Sequence, residues 1–111
     1  MPVPLYQAKA EFFRTLGHPV RIRVLELLTE RDHAVHELLD EIDVEPSALS
    51  QQLAVLRRAG LVTPRREGGE VVYRVVVPEV ADLLLAGRAI LRRVAEEQGA
   101  LGRQLRSRAR S

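Results

Sequence analysis

The chain has 111 residues, 17 basic against 15 acidic side chains for a formal charge of +2, and 46% hydrophobic residues. That describes one domain, or one domain with tails, with apolar content for a modest core. The absence of cysteine excludes disulfides, zinc–thiolate sites, thiol redox sensing and cysteine nucleophiles. No apolar run approaches the ~18 residues of a membrane helix. The start, Met1-Pro2-Val3-Pro4-Leu5, has neither a basic segment nor an apolar signal core, so a cytoplasmic protein is expected.

Leu5, Ala8, Phe12 and Leu16 recur at near-helical spacing and predict an amphipathic helix over residues 4–16, ended by Gly17. Pro19 suits the first turn of a second helix, with Ile22, Leu25 and Leu28 inward and an end near Glu30. His33-Ala34-Val35 reads as a single edge strand or as the entry to the next helix. A short helix follows from His36 to Ile42, broken by Asp43-Val44-Glu45. Pro46 opens a helix that runs to Ala59 and is capped by Gly60. Two helices joined by so tight a turn form a helix-turn-helix arrangement. After Gly60 the period changes: Leu61–Arg66 and Glu70–Val76 read as a β-hairpin turning at Gly68-Gly69. Pro78 or Glu79 opens a last helix whose stripe of Val80, Leu83, Leu84, Gly87, Leu91 and Val94 runs to about Gln98. Beyond Gly99 the chain is basic and poor in large apolar groups, and fraying or disorder is expected.

Charge is unevenly placed. Glu26–Glu45 holds eight acids and one base; Pro46–Arg74 holds five arginines and two acids; Gly99–Ser111 holds four arginines and no acid. Lys9 is the one lysine among the 17 basic residues. The arginine excess suits phosphate binding, but composition alone favours codon bias from a GC-rich genome.

The helix from Pro46 to Ala59 is the most informative segment. Wound at about 100° per residue, it brings Leu49, Leu53 and Leu56 within about 60° of one another as a buried stripe. The opposite face carries Ser47, Gln51, Ala54 and Arg58, flanked by Ser50, Val55 and Arg57, with no acid between Pro46 and Arg66. A glutamine amide can donate and accept together against an adenine edge, and serine can serve several bases. Ser47, Ser50, Gln51 and Arg58 are therefore the candidate base-facing residues. Arg57, Arg65, Arg66 and Arg74 are the candidate phosphate contacts, the last three from the hairpin. A merely solvated helix face and a hairpin kept from edge pairing by charge are the plainer readings; Glu67 and Glu70 beside the turn weaken the basic case.

The stretches Leu16-Gly17-His18-Pro19-Val20-Arg21-Ile22-Arg23-Val24-Leu25-Glu26-Leu27-Leu28 and Glu45-Pro46-Ser47-Ala48-Leu49-Ser50-Gln51-Gln52-Leu53-Ala54-Val55-Leu56-Arg57-Arg58-Ala59-Gly60-Leu61-Val62 resemble the ArsR/SmtB family of bacterial winged-helix regulators. The hairpin Arg65-Arg66-Glu67-Gly68-Gly69-Glu70-Val71-Val72-Tyr73-Arg74-Val75 extends the match, which spans nearly all of residues 5–95. The resemblance implies a mainly α fold with a β-hairpin wing, about five helices, and a homodimer on a palindromic operator. It also implies an inducer or metal that changes DNA affinity. Residues 1–98 are then the winged helix-turn-helix and dimerisation domain, and 99–111 a basic, flexible tail. The apolar faces of the first and last helices independently favour a twofold dimer, with Leu5, Ala8, Phe12, Val80, Leu83, Leu84, Leu91 and Val94 as interface candidates. Such a dimer would set two reading helices about 34 Å apart, one DNA turn.

The chain departs from the family's metal sensors. Where those carry a cysteine pair at the start of the helix-turn-helix, Ala34 and His36 stand here. Where they carry Asp, His, His and Glu on the last helix, the matching residues are Pro78, Val80, Leu91 and Val94, none of them a ligand. His33 and His36, with Asp32, Glu37 and Asp40 nearby, could make a weak imidazole–carboxylate site for nickel or zinc. The plainer expectation makes His18 a helix cap and His33 and His36 surface residues, with no metal and no cofactor. The expected function is sequence-specific binding of double-stranded DNA by a homodimeric transcriptional regulator. The alternatives are a nickel- or zinc-responsive regulator, and an interaction module whose acidic run binds a basic partner. A separate sensor protein could supply the signal. No nucleophile–base spacing supports an enzyme, and no membrane partner is expected.

Overall fold

Proline and glycine set most of the boundaries in this chain. The computed structural model describes residues 2–110, with side chains described through Arg106. In chain order the elements are α1 (Leu5–Leu16), α2 (Pro19–Glu30), β1 (His33–Ala34), α3 (Val35–Glu41), α4 (Pro46–Arg58), β2 (Val62–Glu67), β3 (Glu70–Val75) and α5 (Glu79–Arg110). This is the winged helix-turn-helix expected from the sequence. The chain divides into two units, Met1–Val80 and Ala81–Ser111.

In the first unit, Pro19 and Pro46 each stand in the first turn of a helix, where a missing N–H costs nothing. His18 caps α2: its Nδ1 accepts from the Val20 amide at 3.2 Å. The start of α3 is held differently. Glu37 reaches back so that its Oε1 accepts from the Ala34 amide at 2.9 Å, half of a capping box, since alanine has no side-chain oxygen to return the bond. The exit of α4 is a Schellman motif, in which the Leu61 amide donates to the Leu56 carbonyl and the Gly60 amide to that of Arg57. It requires Gly60 at a φ of 78°.

The sheet is antiparallel, in the order β1-β3-β2. His33-Ala34, left open between strand and helix entry by the sequence, pairs with β3 through His33 opposite Tyr73 and Ala34 opposite Val72. In the hairpin Glu67 faces Glu70 across a two-residue turn, and Gly68 and Gly69 have φ of 59° and 81°. Positive φ at both turn residues gives the twist that matches two right-twisted strands. Pro64 stands opposite Tyr73 in β2, an outer strand of this sheet.

The core of the first unit is aliphatic. Val24, Leu25, Leu27 and Leu28 of α2 are buried, with Leu16, Leu38, Ile42, Leu61, Val62 and the α4 stripe of Leu49, Leu53 and Leu56. Val80 is only 2% exposed and belongs to this core, so it is withdrawn from the apolar face expected to pair with another copy. On α1, by contrast, Leu5, Tyr6 and Phe13 lie exposed.

The second unit is the remainder of α5. It does not end near Gln98 as expected but stays helical to Arg110. Gly99 and Gly102 each cost about 1 kcal/mol relative to alanine, yet Ala100, Leu101, Gln104, Leu105 and the arginines among them are strong helix formers. Leu85, Ile90, Leu91, Val94, Leu101 and Leu105 are exposed, while Leu83 and Leu84 are half-buried. Met1 and Ser111, the outer ends of the two segments expected from sequence, lie outside the described residues.

Two stability measurements follow from these caps. A Cβ at Gly60 would meet no atom within 4 Å, so Gly60→Ala suffers from backbone strain alone; urea denaturation should show a loss of about 1–2 kcal/mol. At Glu37 the Ala34 amide, and then Arg31 at 3.0 Å, hold the carboxyl well below its ordinary 4.5, at about 2. A carboxylate depressed in the folded state stabilises the fold above its unfolded value and loses that effect as pH falls through its folded value. Glu37→Ala should therefore lower the melting midpoint by a few degrees at pH 7, and the difference should narrow as pH drops from 4.5 toward 2.

Candidate nucleic-acid interface

The three leucines of α4 are 0%, 2% and 0% exposed at Leu49, Leu53 and Leu56. Their burial turns the far side of the helix outward. There Ser47, Ser50, Gln51, Arg57 and Arg58 are all exposed, while Ala54 and Val55 are half-buried. The helix spans 13 residues, about 20 Å, enough to lie along one major groove. No side chain caps its start, which leaves the amides of its first turn available to a phosphate. A four-residue connector, 42–45, joins it to α3.

The hairpin arginines are not equivalent. Alternation along the ladder puts Arg65 and Arg74 on one face, with Glu67 and Glu70, and Arg66 on the other. Arg65 reaches across β3 to donate from Nη1 to Asp32 Oδ2 at 2.7 Å, and from Nε to Glu67 Oε2 at 2.8 Å. Those two carboxylates raise its already high pKa further. Arg57, Arg58, Arg66 and Arg74 form no ion pair among the described residues. Sequence reasoning placed Arg65 with the free cations because Asp32 lies 33 positions away in the chain, and only strand pairing brings the two together.

The histidines separate. His33 is not a surface residue: it is 3% exposed, and its Nδ1–H donates to the Arg31 carbonyl at 2.8 Å. Pairing of β1 with β3 is what buries it. His36 stays exposed and sets its Nδ1 3.0 Å from Glu70 Oε1. Glu37, one of the three carboxylates expected nearby, is engaged by the Ala34 amide and Arg31. No group of three or more His, Cys, Asp or Glu able to hold a metal occurs among the described residues. The metal positions of the family's sensors do not fit either: Ala34, Pro78, Val80, Leu91 and Val94 offer no donor atom on their side chains. No helix among the described residues is long and apolar enough to cross a membrane.

Sequence reasoning also missed Arg21. Its Nε donates to Gln52 Oε1 at 2.7 Å and its Nη1 to the Thr15 carbonyl at 2.8 Å.

Residues 18–63 match the family of bacterial regulatory proteins described as the arsR family. The chain is 52% identical over 105 residues to the uncharacterized HTH-type transcriptional regulator Rv0081 of Mycobacterium tuberculosis, covering 94% of this chain and 92% of the relative. It is 39% identical over 84 residues to the HTH-type transcriptional repressor SmtB of the same organism, covering 76% and 62%. The crystal structure of Rv0081 superposes with a TM-score of 0.79 at 53% identity, over 87% of this chain and 98% of that one. The transcriptional repressor BigR from Xylella fastidiosa gives 0.72 at 36% identity, over 77% and 87%. Identity above one half across nearly the whole chain leaves one assignment: the chain belongs to the ArsR family, and is a DNA-binding transcriptional regulator of the winged helix-turn-helix type, not an enzyme.

Proposed function

We propose that the protein is a homodimeric repressor that binds a palindromic operator. It lays α4 in the major groove and its hairpin beside the backbone. The observation that carries this reading is the row of exposed Ser47, Ser50, Gln51, Arg57 and Arg58 opposite a fully buried leucine stripe. Ser47, Ser50, Gln51 and Arg58 read bases or nearby phosphates; Arg57, Arg66 and Arg74 hold phosphates. Arg65 joins them by exchanging its carboxylate partners for a phosphate. That exchange is inexpensive, because exposed ion pairs contribute little in water.

The dimer buries apolar surface that each unit leaves open: Leu5, Ala8 and Phe12 with Tyr6 and Phe13 on α1, and Leu83, Leu84, Leu91 and Val94 with Ile90 on α5. A twofold pair presents two reading helices to two half-sites one turn apart, which is why the operator is palindromic. Repression follows from occupancy, and the relatives SmtB and BigR are named repressors. A basic protein partner for the acidic run is the weaker reading. Asp32, Glu37, Glu26 and Glu41 of that run are already engaged by Arg65, Arg31 and Arg23.

The test is titration of the protein with a duplex that it selects from a randomised pool and with a scrambled duplex, at two salt concentrations. Affinity for both should fall steeply with salt, and salt-independent binding, or none, would defeat the proposal. Gln51→Ala should lose roughly 5- to 100-fold on the selected duplex and little on the scrambled one. Asp32→Asn loosens Arg65, and should raise scrambled-duplex affinity at low salt and steepen the logarithmic salt slope by up to about 0.9. An unchanged slope would mean that Arg65 is not among the phosphate contacts.

A further inference from the structure

The leucine stripe holds α4 to the core, but apolar packing is weakly directional. A polar link lies on the helix flank. Gln52 falls about 60° around the axis from Leu49, at the edge of the buried stripe and beside Gln51. Arg21, carried by α2, donates from Nε to Gln52 Oε1 at 2.7 Å and from Nη1 to the Thr15 carbonyl at 2.8 Å. All three residues are half-buried. One guanidinium thus joins three helices: the one that carries it, the last turn of α1 and the middle of α4.

The Thr15 carbonyl has a reason to be there. In a continuing helix it would accept from the amide four residues on, but that residue is Pro19, which has none. Arg21 fills the place. On the other side, an amide oxygen held by a planar, fixed fork tolerates little rotation, since hydrogen bonds weaken steeply off line. A 20° turn of α4 about its axis would move groups at its outer radius by about 2 Å. That is enough to break the base contacts of Gln51 while leaving the leucines buried.

Resting on the DNA-reading assignment of α4, we propose that Arg21 is a positioning residue for operator recognition. Through Gln52 it fixes the axial rotation of α4, and through the Thr15 carbonyl it makes that rotation answer to the end of α1. It touches no DNA itself.

The test compares selected and scrambled duplexes of equal length, the first drawn by the wild-type protein from a randomised pool. Arg21→Met and Gln52→Leu should each lower the preference for the selected duplex by about tenfold. Scrambled-duplex affinity and its salt slope should stay within twofold of wild type. Gln52→Glu keeps an acceptor for the guanidinium and should retain the preference ratio. Thermal melting identifies a fold failure; if Arg21→Met does not fold, Gln52→Leu against Gln52→Glu decides. A preference equal to wild type in Gln52→Leu overturns the inference. So does an equal loss on both duplexes with a shallower salt slope, which would make Arg21 a phosphate contact. If the wild-type protein itself prefers no duplex, the DNA-reading assignment fails first and this inference falls with it.

Discussion

Three leucine side chains, at 49, 53 and 56, decide which way α4 faces. Full burial of such a side chain stabilises a fold by about 1.5–3 kcal/mol, and here three act along one line of one helix. The helix cannot turn its polar side inward without giving up that burial. Every other feature of the proposed interface inherits its direction from this: the exposed serines, Gln51, the terminal arginines and the uncapped first turn. The Arg21–Gln52–Thr15 link refines an orientation that the leucines have already chosen to within a fraction of a turn.

Charge in the first unit is arranged by pairing as much as by sign. The stretch from Glu26 to Glu45 looks strongly acidic in sequence, yet several of its carboxylates meet arginines from the same stretch, from α2 or from the hairpin. The hairpin in turn looks basic, yet Arg65 is shared between Asp32 and Glu67, and Glu70 faces His36. On α4 and the hairpin the positive charge left unpaired therefore narrows to Arg57 and Arg58 on the helix and Arg66 and Arg74 on the hairpin. Those are arginines without intramolecular claims among the described residues. A formal charge of +2 conceals both the neutralisation and the concentration.

Local chemistry was legible in the sequence wherever a residue acts on its near neighbours. Pro19 and Pro46 started helices, Gly60 ended one, Gly68-Gly69 turned the hairpin and His18 capped α2, because each effect reaches only a few residues. Periodicity found the leucine stripe for the same reason. What escaped required knowing which distant segments meet. His33 is buried because β1 pairs with β3 some forty residues later, and Arg65 finds Asp32 through the same sheet. Arg21 reads in sequence as one more surface arginine, and only the packing of α2 against α4 brings it to Gln52. At the far end of α5, composition misled: a basic segment poor in large apolar groups suggested a loose tail, where Ala100, Leu101 and Leu105 sustain the helix.

Pro64 has a consequence beyond the hairpin it stiffens. It sits in β2, on the outside of the small sheet, with Arg65 and Arg66 directly after it. A strand there with a missing donor and two adjacent cations is a poor template for a further strand. In the proposed dimer, contact between copies would then rest on helix surfaces and not on the β2 edge. Surfaces of that kind are used up once a twofold partner is in place, whereas a receptive strand edge would offer itself again with every copy added, and grow without limit.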